Sequence, residues 1–322
     1  MQAATTAAIA FILAAVASMT SPAAGQESET LSIASHDLTD EQFLAGDSGD
    51  AAAVTLTGRL TLPGNSPTYP VVILLHGTDG PQSGASYTWE IFLPTIGVAT
   101  LALDSYTGRG LSYVSFNQES FGQFPQTYDA FRAVEALAAH PRIDPDRIAV
   151  MGFSRGAQAA LYTAMTRFQR DFGPERGEIA AHLPFYPACN VELVDAAAVG
   201  PAPIRIFHGG ADDWTPAAPC RAHVERLAAA GHDALFTEYP GARHGFDNEF
   251  AADLMVEGGA ESSRNCRRVE VEGRILNAET GAPFSYADAC VARGASVQFD
   301  PAASADARAS VTALLTDIFE LP

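Results

Sequence analysis

The sequence contains no lysine; all 19 of its basic side chains are arginine. Without a lysine amine there is no Schiff-base chemistry, no phosphate-loop lysine and no serine–lysine catalytic pair. Arginine itself is scarce beside 38 Asp and Glu, which leaves a formal charge of −19. Binding to nucleic acid needs clustered cations that displace the counterions of the phosphate backbone, so no nucleic-acid partner is expected. An acidic surface instead serves solubility and keeps the chain apart from other anions. Cysteine is limited to four residues, with no Cys-x-x-Cys or Cys/His cluster of zinc-ligand spacing, and neither a metal nor a cofactor is expected. Internal repeats are absent, and past the first 25 residues no apolar run approaches a membrane span.

What those first residues do contain is an apolar stretch from Ala7 to Val16, followed by small residues and Ala23-Ala24-Gly25. This pattern predicts a signal peptide over residues 1–25, cleaved near Gly25-Gln26, and hence a periplasmic or extracellular protein with no membrane span after cleavage. Cys189, Cys220, Cys266 and Cys290 all fall in the mature chain. An even number in an exported protein predicts two disulfides. Three pairings are open, and Cys189–Cys220 with Cys266–Cys290 is favoured because each closes a loop of modest length.

Residues 26–50 are polar and acidic and read as a loosely held leader; residues 51–322 read as one domain. Val54 to Leu62 alternates apolar and polar residues, the period of a half-buried strand. Several apolar runs then lack alternation and stop at glycine or polar residues. Val71–Leu75 runs into His76-Gly77, Val98–Leu103 into Asp104-Ser105, Ile148–Met151 into Gly152, and Ile204–Phe207 into His208-Gly209. Such runs suit strands buried on both faces of a parallel sheet. Helix-like stretches separate them, at residues 128–139, 157–168 and 221–230. The alternation predicts an α/β fold with a mostly parallel central sheet flanked by helices, whose functional groups gather at the carboxyl ends of the strands. Residues 255–300 read as an excursion carrying a hairpin and stapled by Cys266 and Cys290. Residues 303–320 read as a terminal helix that packs on the sheet through Val311, Leu314, Leu315, Ile318 and Phe319.

Gly152-Phe153-Ser154-Arg155-Gly156 stands between a buried strand and a helix. Glycine on each side of Ser154 permits a sharp turn that lifts the hydroxyl above the sheet. A serine hydroxyl becomes a nucleophile only when a base takes its proton and a third group orients that base. Of eight histidines, His244 is the candidate base, in a glycine-rich loop that follows a strand and comes last in the chain order. Asp212 is the candidate acid, with its neighbour Asp213 as the alternative; side chains adjacent on a turn diverge, so only one meets the imidazole. His76 and His208 are expected to brace turns. An oxyanion hole needs two aimed N–H groups, expected from the backbone of Arg155 and of Thr78.

His76-Gly77-Thr78-Asp79-Gly80, Gly152-Phe153-Ser154-Arg155-Gly156, His208-Gly209-Gly210-Ala211-Asp212-Asp213-Trp214-Thr215-Pro216 and Ala242-Arg243-His244-Gly245-Phe246-Asp247 together resemble the dienelactone hydrolase family of the α/β-hydrolases, over roughly residues 55–250. The resemblance implies an α/β-hydrolase fold and a triad of Ser154, Asp212 and His244. Founding members carry cysteine where this sequence has serine, so the resemblance implies ester hydrolysis rather than dienelactone itself as substrate. Asp104 to Gly110 also resembles the family and is expected to line the site. There Tyr106 would contact substrate, and Arg109 or Arg155 would meet a carboxylate or pair with the protein's own excess acid. Tyr87, Trp89, Phe116, Phe121, Trp214 and Phe246 are candidates for an apolar pocket, Trp214 foremost. The leading expectation is a serine hydrolase that cleaves a small-molecule carboxylic ester or lactone through an acyl-serine. A peptidase or acyltransferase on the same fold, and a non-catalytic secreted binding protein, are the alternatives.

Overall fold

The computed structural model describes residues 26–322; the signal-peptide expectation concerns residues outside the described ones. The chain begins with strand β1 (Glu27–Asp37), helix α1 (Asp40–Leu44), β2 (Ala52–Leu62) and β3 (Tyr69–Leu75). Helix α2 (Gly84–Phe92) leads to β4 (Ala99–Asp104), α3 (Pro125–Ala138) to β5 (Ile143–Phe153), and α4 (Arg155–Tyr162) with α5 (Thr166–Phe172) to β6 (Ile179–Phe185). A short β7 (Val191–Glu192) precedes β8 (Ile204–Gly209), α6 (Ala217–Ala229) and β9 (Ala234–Tyr239). The last elements are β10 (Met255–Ser262), β11 (Arg268–Val271), β12 (Arg274–Asn277), β13 (Ala292–Val297) and α7 (Pro301–Ile318).

Eight strands form one sheet in the order β1-β2-β4-β3-β5-β6-β8-β9. The six from β4 to β9 run parallel, and β2 and β1 extend the sheet antiparallel. The unalternating runs have a simple cause. Every residue of β3 is buried, but Val72 and Leu74 enter the core on one face, with Trp89, Phe185 and Val311, while Val71, Ile73 and Leu75 enter the core on the other, with Val134 and Leu137. Both faces are covered by helices, so both parities must be apolar. This is a single α/β-hydrolase domain. Val311, Leu315 and Phe319 of the terminal helix region are fully buried against the first face.

Residues 26–50 are not a loose leader. β1 pairs with β2 along its whole length, from Glu27↔Leu62 to Asp37↔Ala52. After it, Thr39 closes a capping box with Gln42 at the start of α1. That short helix drives Phe43 into a cluster with Phe124, Phe168 and Phe172. Few apolar residues suffice here because Ile33, Leu38 and Phe43 each land in a site built by distant segments.

The excursion is more than one hairpin. β10 pairs antiparallel with β13, while β11 and β12 form a hairpin through Glu272-Gly273, both at positive φ, and β11 also joins β7 in parallel. The two expected disulfides are both present: Cys189–Cys220 at a Cα separation of 4.9 Å and Cys266–Cys290 at 5.0 Å. They fit an oxidising compartment.

Candidate active site

Ser154 occupies the one-residue turn between β5 and α4 with φ 55° and ψ −113°, a strained conformation for a residue with a side chain. The flanking glycines make the turn possible. A Cβ at Gly152 would collide with the Gly156 carbonyl, and one at Gly156 with the carbonyls of Leu75 and His76 at the end of β3. The strain is held by α4 packed tightly on the sheet and by the Ser154 N–H, which donates to the Phe185 carbonyl at 3.0 Å.

The loop after β8 sends Asp212 toward the loop after β9. His244 Nδ1 lies 2.8 Å from Asp212 Oδ2, both side chains buried. Asp212 Oδ1 also accepts the N–H groups of Trp214 (2.8 Å) and Thr215 (2.9 Å), and the Thr215 hydroxyl lies 3.0 Å from Oδ2. Burial pushes this carboxyl up, but the adjacent imidazole and these donors outweigh it and hold its pKa below the ordinary carboxylate value. Asp212 is therefore ionised, and with Nδ1–H turned to it the free imidazole nitrogen is Nε2. Asp213 diverges as expected of a neighbour on a turn: it is exposed and accepts from the Ser296 N–H (2.7 Å) and hydroxyl (2.9 Å).

His244 and Ser154 share one cavity of about 90 Å³, whose walls also include Thr78, Asp79, Trp214 and Glu257. Gly77 and Thr78 lie against Ser154; a Cβ on Gly77 would stand 3.4 Å from that of the serine. The Thr78 carbonyl accepts the Val114 N–H at 2.8 Å and its hydroxyl meets that of Ser115 at 2.8 Å, which pins the loop. Arg155 is the first residue of α4, where a helical N–H has no partner within the helix. A second cleft of about 20 Å³ opens on the other side of Ser154 between Arg155, Gln158 and Tyr286. A larger groove of about 450 Å³, between the α1 region and the loop at Phe284-Ser285-Tyr286, has neither Ser154 nor His244 in its walls.

The model of the dienelactone hydrolase family matches residues 56–270. The chain belongs to this family. It is 31% identical over 156 residues to an uncharacterized protein of Mycobacterium tuberculosis, in strains H37Rv and CDC 1551 alike, an alignment that covers 42% of this chain and 54% of that protein. The chain thus spans about half the length of the curated relatives it matches. Among solved structures, a dienelactone hydrolase-like promiscuous phosphotriesterase from metagenomic libraries superposes with a TM-score of 0.57 at 15% identity, over 91% of this chain and 99% of that one. A putative dienelactone hydrolase from Klebsiella pneumoniae gives 0.54 at 13%, over 89% and 99%. At such identities these likenesses show the fold.

Two expected pocket residues of this dienelactone hydrolase family member lie elsewhere. Tyr106 is fully buried between His76 and Phe121 and is not in the cavity wall. The Arg109 guanidinium is committed to the protein's own acid: it forks onto Asp129 at 2.9 and 3.0 Å and reaches Asp37 at 2.8 Å, tying the end of β1 to α3. Arg155 spends its guanidinium on the Phe121, Gly122 and Gln118 carbonyls. Of the aromatic candidates, Trp89 and Phe246 are core residues, whereas Trp214 faces the cavity with its ring 4.9 Å from that of His244. His76 and His208 bond the carbonyls of Gly77 and Gly209, and burial keeps both imidazoles neutral.

The sequence reading missed a buried support behind His244. The Tyr186 ring lies 4.6 Å from the imidazole, opposite the fully buried Asp247, whose two oxygens accept from Tyr186 Oη and Trp89 Nε1, each at 2.7 Å. Asp247 follows the His244-Gly245-Phe246 motif directly, so its position was visible; Tyr186 and Trp89 carry no local signal. Asp79 was visible within its glycine loop without a role, and Glu257 was not singled out at all.

Proposed function

We propose that this chain is a serine carboxylic-ester hydrolase acting on small esters or lactones, with Ser154 as nucleophile, His244 as general base and Asp212 as the acid that orients it. The observation that carries the reading is the buried Asp212–His244 pair opening into the cavity that also holds a serine on a strained strand–helix turn. Ser154 Oγ attacks the ester carbonyl carbon while His244 Nε2 takes its proton. The carbonyl oxygen gains negative charge and is met by the Thr78 and Arg155 N–H groups. Expulsion of the alcohol, protonated by His244, leaves an acyl-serine. Water activated by the same imidazole then releases the acid. Each oxyanion donor is worth about 3–4 kcal/mol in such a site. Export of the protein, which the two disulfides support, belongs to the same proposal.

A fluorophosphonate probe should label the purified protein, and p-nitrophenyl acetate or butyrate should be cleaved. Ser154→Ala should fold, lose the label and lose about 10⁴-fold or more in kcat. A folded wild type that neither takes the probe nor turns over any short ester would falsify the assignment.

A further inference from the structure

The cavity beside Ser154 carries charge of one sign. Asp79, from the loop after β3, and Glu257, from β10, both stand in its wall, and no arginine does. Four other carboxylates, Glu90, Asp129, Glu261 and Glu270, each meet an arginine, while the buried Asp247 is held by the neutral donors Tyr186 and Trp89. Among the described residues Asp79 and Glu257 have no such partner; Glu257 accepts only a neutral hydroxyl, from Tyr113 at 2.6 Å. Desolvation raises the Asp79 pKa to about 6, with a small addition from Glu257, against the opposing pull of the Ser83 hydroxyl and of His244. A cation bound in this cavity would face both carboxylates, and the one basic side chain in the wall is His244. The Trp214 ring in the wall of the same cavity suits the same ligand.

We propose, on the hydrolase reading above, that the Asp79–Glu257 wall selects small esters bearing an ammonium group on the part of the substrate held in this cavity. Neutral esters of the same shape are poorer substrates, and esters with a carboxylate at that position are repelled. The two acids are specificity determinants of the site and take no part in bond making or breaking.

The test uses isosteric pairs that differ only in charge. Acetylcholine against 3,3-dimethylbutyl acetate places the cation on the alcohol. The phenyl ester of trimethylglycine against that of 3,3-dimethylbutanoic acid places it on the acyl group. For each pair, the ratio of kcat/KM for the cationic ester to that for the neutral one is measured within each enzyme, so intrinsic reactivity and any general loss of activity cancel. The enzymes are wild type, Asp79→Asn, Glu257→Gln and, as a control for overall charge, Glu272→Gln on the exposed β11–β12 turn. Labelling of Ser154 by the fluorophosphonate reports an intact site in each. In at least one pair the ratio should fall about tenfold in Asp79→Asn and in Glu257→Gln, the effect of roughly 1.4 kcal/mol, and stay unchanged in Glu272→Gln. A ratio that is the same in all four enzymes for both pairs overturns the inference and leaves the hydrolase intact. So does an equal fall in Glu272→Gln, which would trace the preference to the net charge. Absence of any Ser154-dependent ester cleavage overturns the hydrolase reading and this inference with it.

Discussion

Two parts of the molecule meet at Ser154, and they are built differently. The turn after β5 and the loops after β8 and β9 hang from parallel strands in the same half of the sheet, with β6 between β5 and β8. Their key side chains are buried and held by short bonds, as Asp212 is by His244, Trp214 and Thr215. The excursion from β10 to β13 comes from outside the sheet, and its contacts with the site are of another kind. Trp214 Nε1 donates to the Glu261 carbonyl (2.9 Å), Gln298 N–H to the His244 carbonyl (3.2 Å), and β10 contributes Met255 and Glu257 to the cavity wall. The sheet loops carry the proposed reacting groups, and the excursion supplies part of the wall around them. In a fold used for many reactions, this separation lets selectivity change while the reacting groups stay in place.

The largest effect should divide two neighbouring acids. Asp212→Asn should lower kcat by about 10³–10⁴-fold with the fold retained, because the imidazole loses the acceptor that sets its tautomer. Asp213→Asn should leave kcat within about threefold; similar losses in both would break the contrast between the proposed triad acid and its exposed neighbour. Next comes the staple of the excursion. Replacing Cys266 and Cys290 together by alanine opens a loop of sequence separation 24 and should cost about 3 kcal/mol of stability in urea unfolding. Fluorophosphonate labelling of Ser154 should survive, while discrimination among esters weakens. If labelling is lost while discrimination is kept, the division of labour is wrong.

Behind the imidazole, Tyr186→Phe removes one of two donors to the buried Asp247 carboxylate and should destabilise the protein by about 1–3 kcal/mol, read from thermal and urea unfolding. The smallest effect is a pH dependence. The folded-state pKa of Asp79 is raised to about 6. For an acid the native state then binds the proton more tightly than the unfolded chain does, so stability falls as pH rises from about 4 to 6. Asp79→Asn removes that loss, so its Tm should exceed that of wild type at pH 8 and the gain should shrink toward pH 4. A gain that is equal at both pH values would show that the carboxyl titrates normally.

The parallel strands were legible because burial on both faces leaves a run such as Val71-Val72-Ile73-Leu74-Leu75 with no polar position. The turn at Ser154 was legible because its two glycines answer to collisions within the turn itself, between Gly152 and Gly156, or with the neighbouring strand end. Asp212 and His244 could be picked by their places at strand ends, and the alternative Asp213 was excluded only when its carboxylate was found on Ser296. Residues 26–50 were misread because β1 owes its existence to pairing with β2, and Phe43 to a pocket made by α3 and α5; polar composition says nothing of either. Tyr106 and Arg109 were misplaced for a similar reason. Their motif was in view, but the Asp129 that claims Arg109 lies on α3, and the rings of His76 and Phe121 that enclose Tyr106 come from two other loops.

Local spacing and composition, then, determined the α/β sheet, the sharp turn at Ser154, the placing of Asp212 and His244 after later strands and the favoured cysteine pairs, because each depends on strand period, glycine sterics or loop length along the chain. Tertiary structure alone decided which aspartate meets His244, which arginines are consumed by the protein's own carboxylates, and that Asp79 and Glu257 share one cavity without a cation. Those are matters of side-chain direction and of the approach of segments far apart in sequence, and no local pattern encodes them.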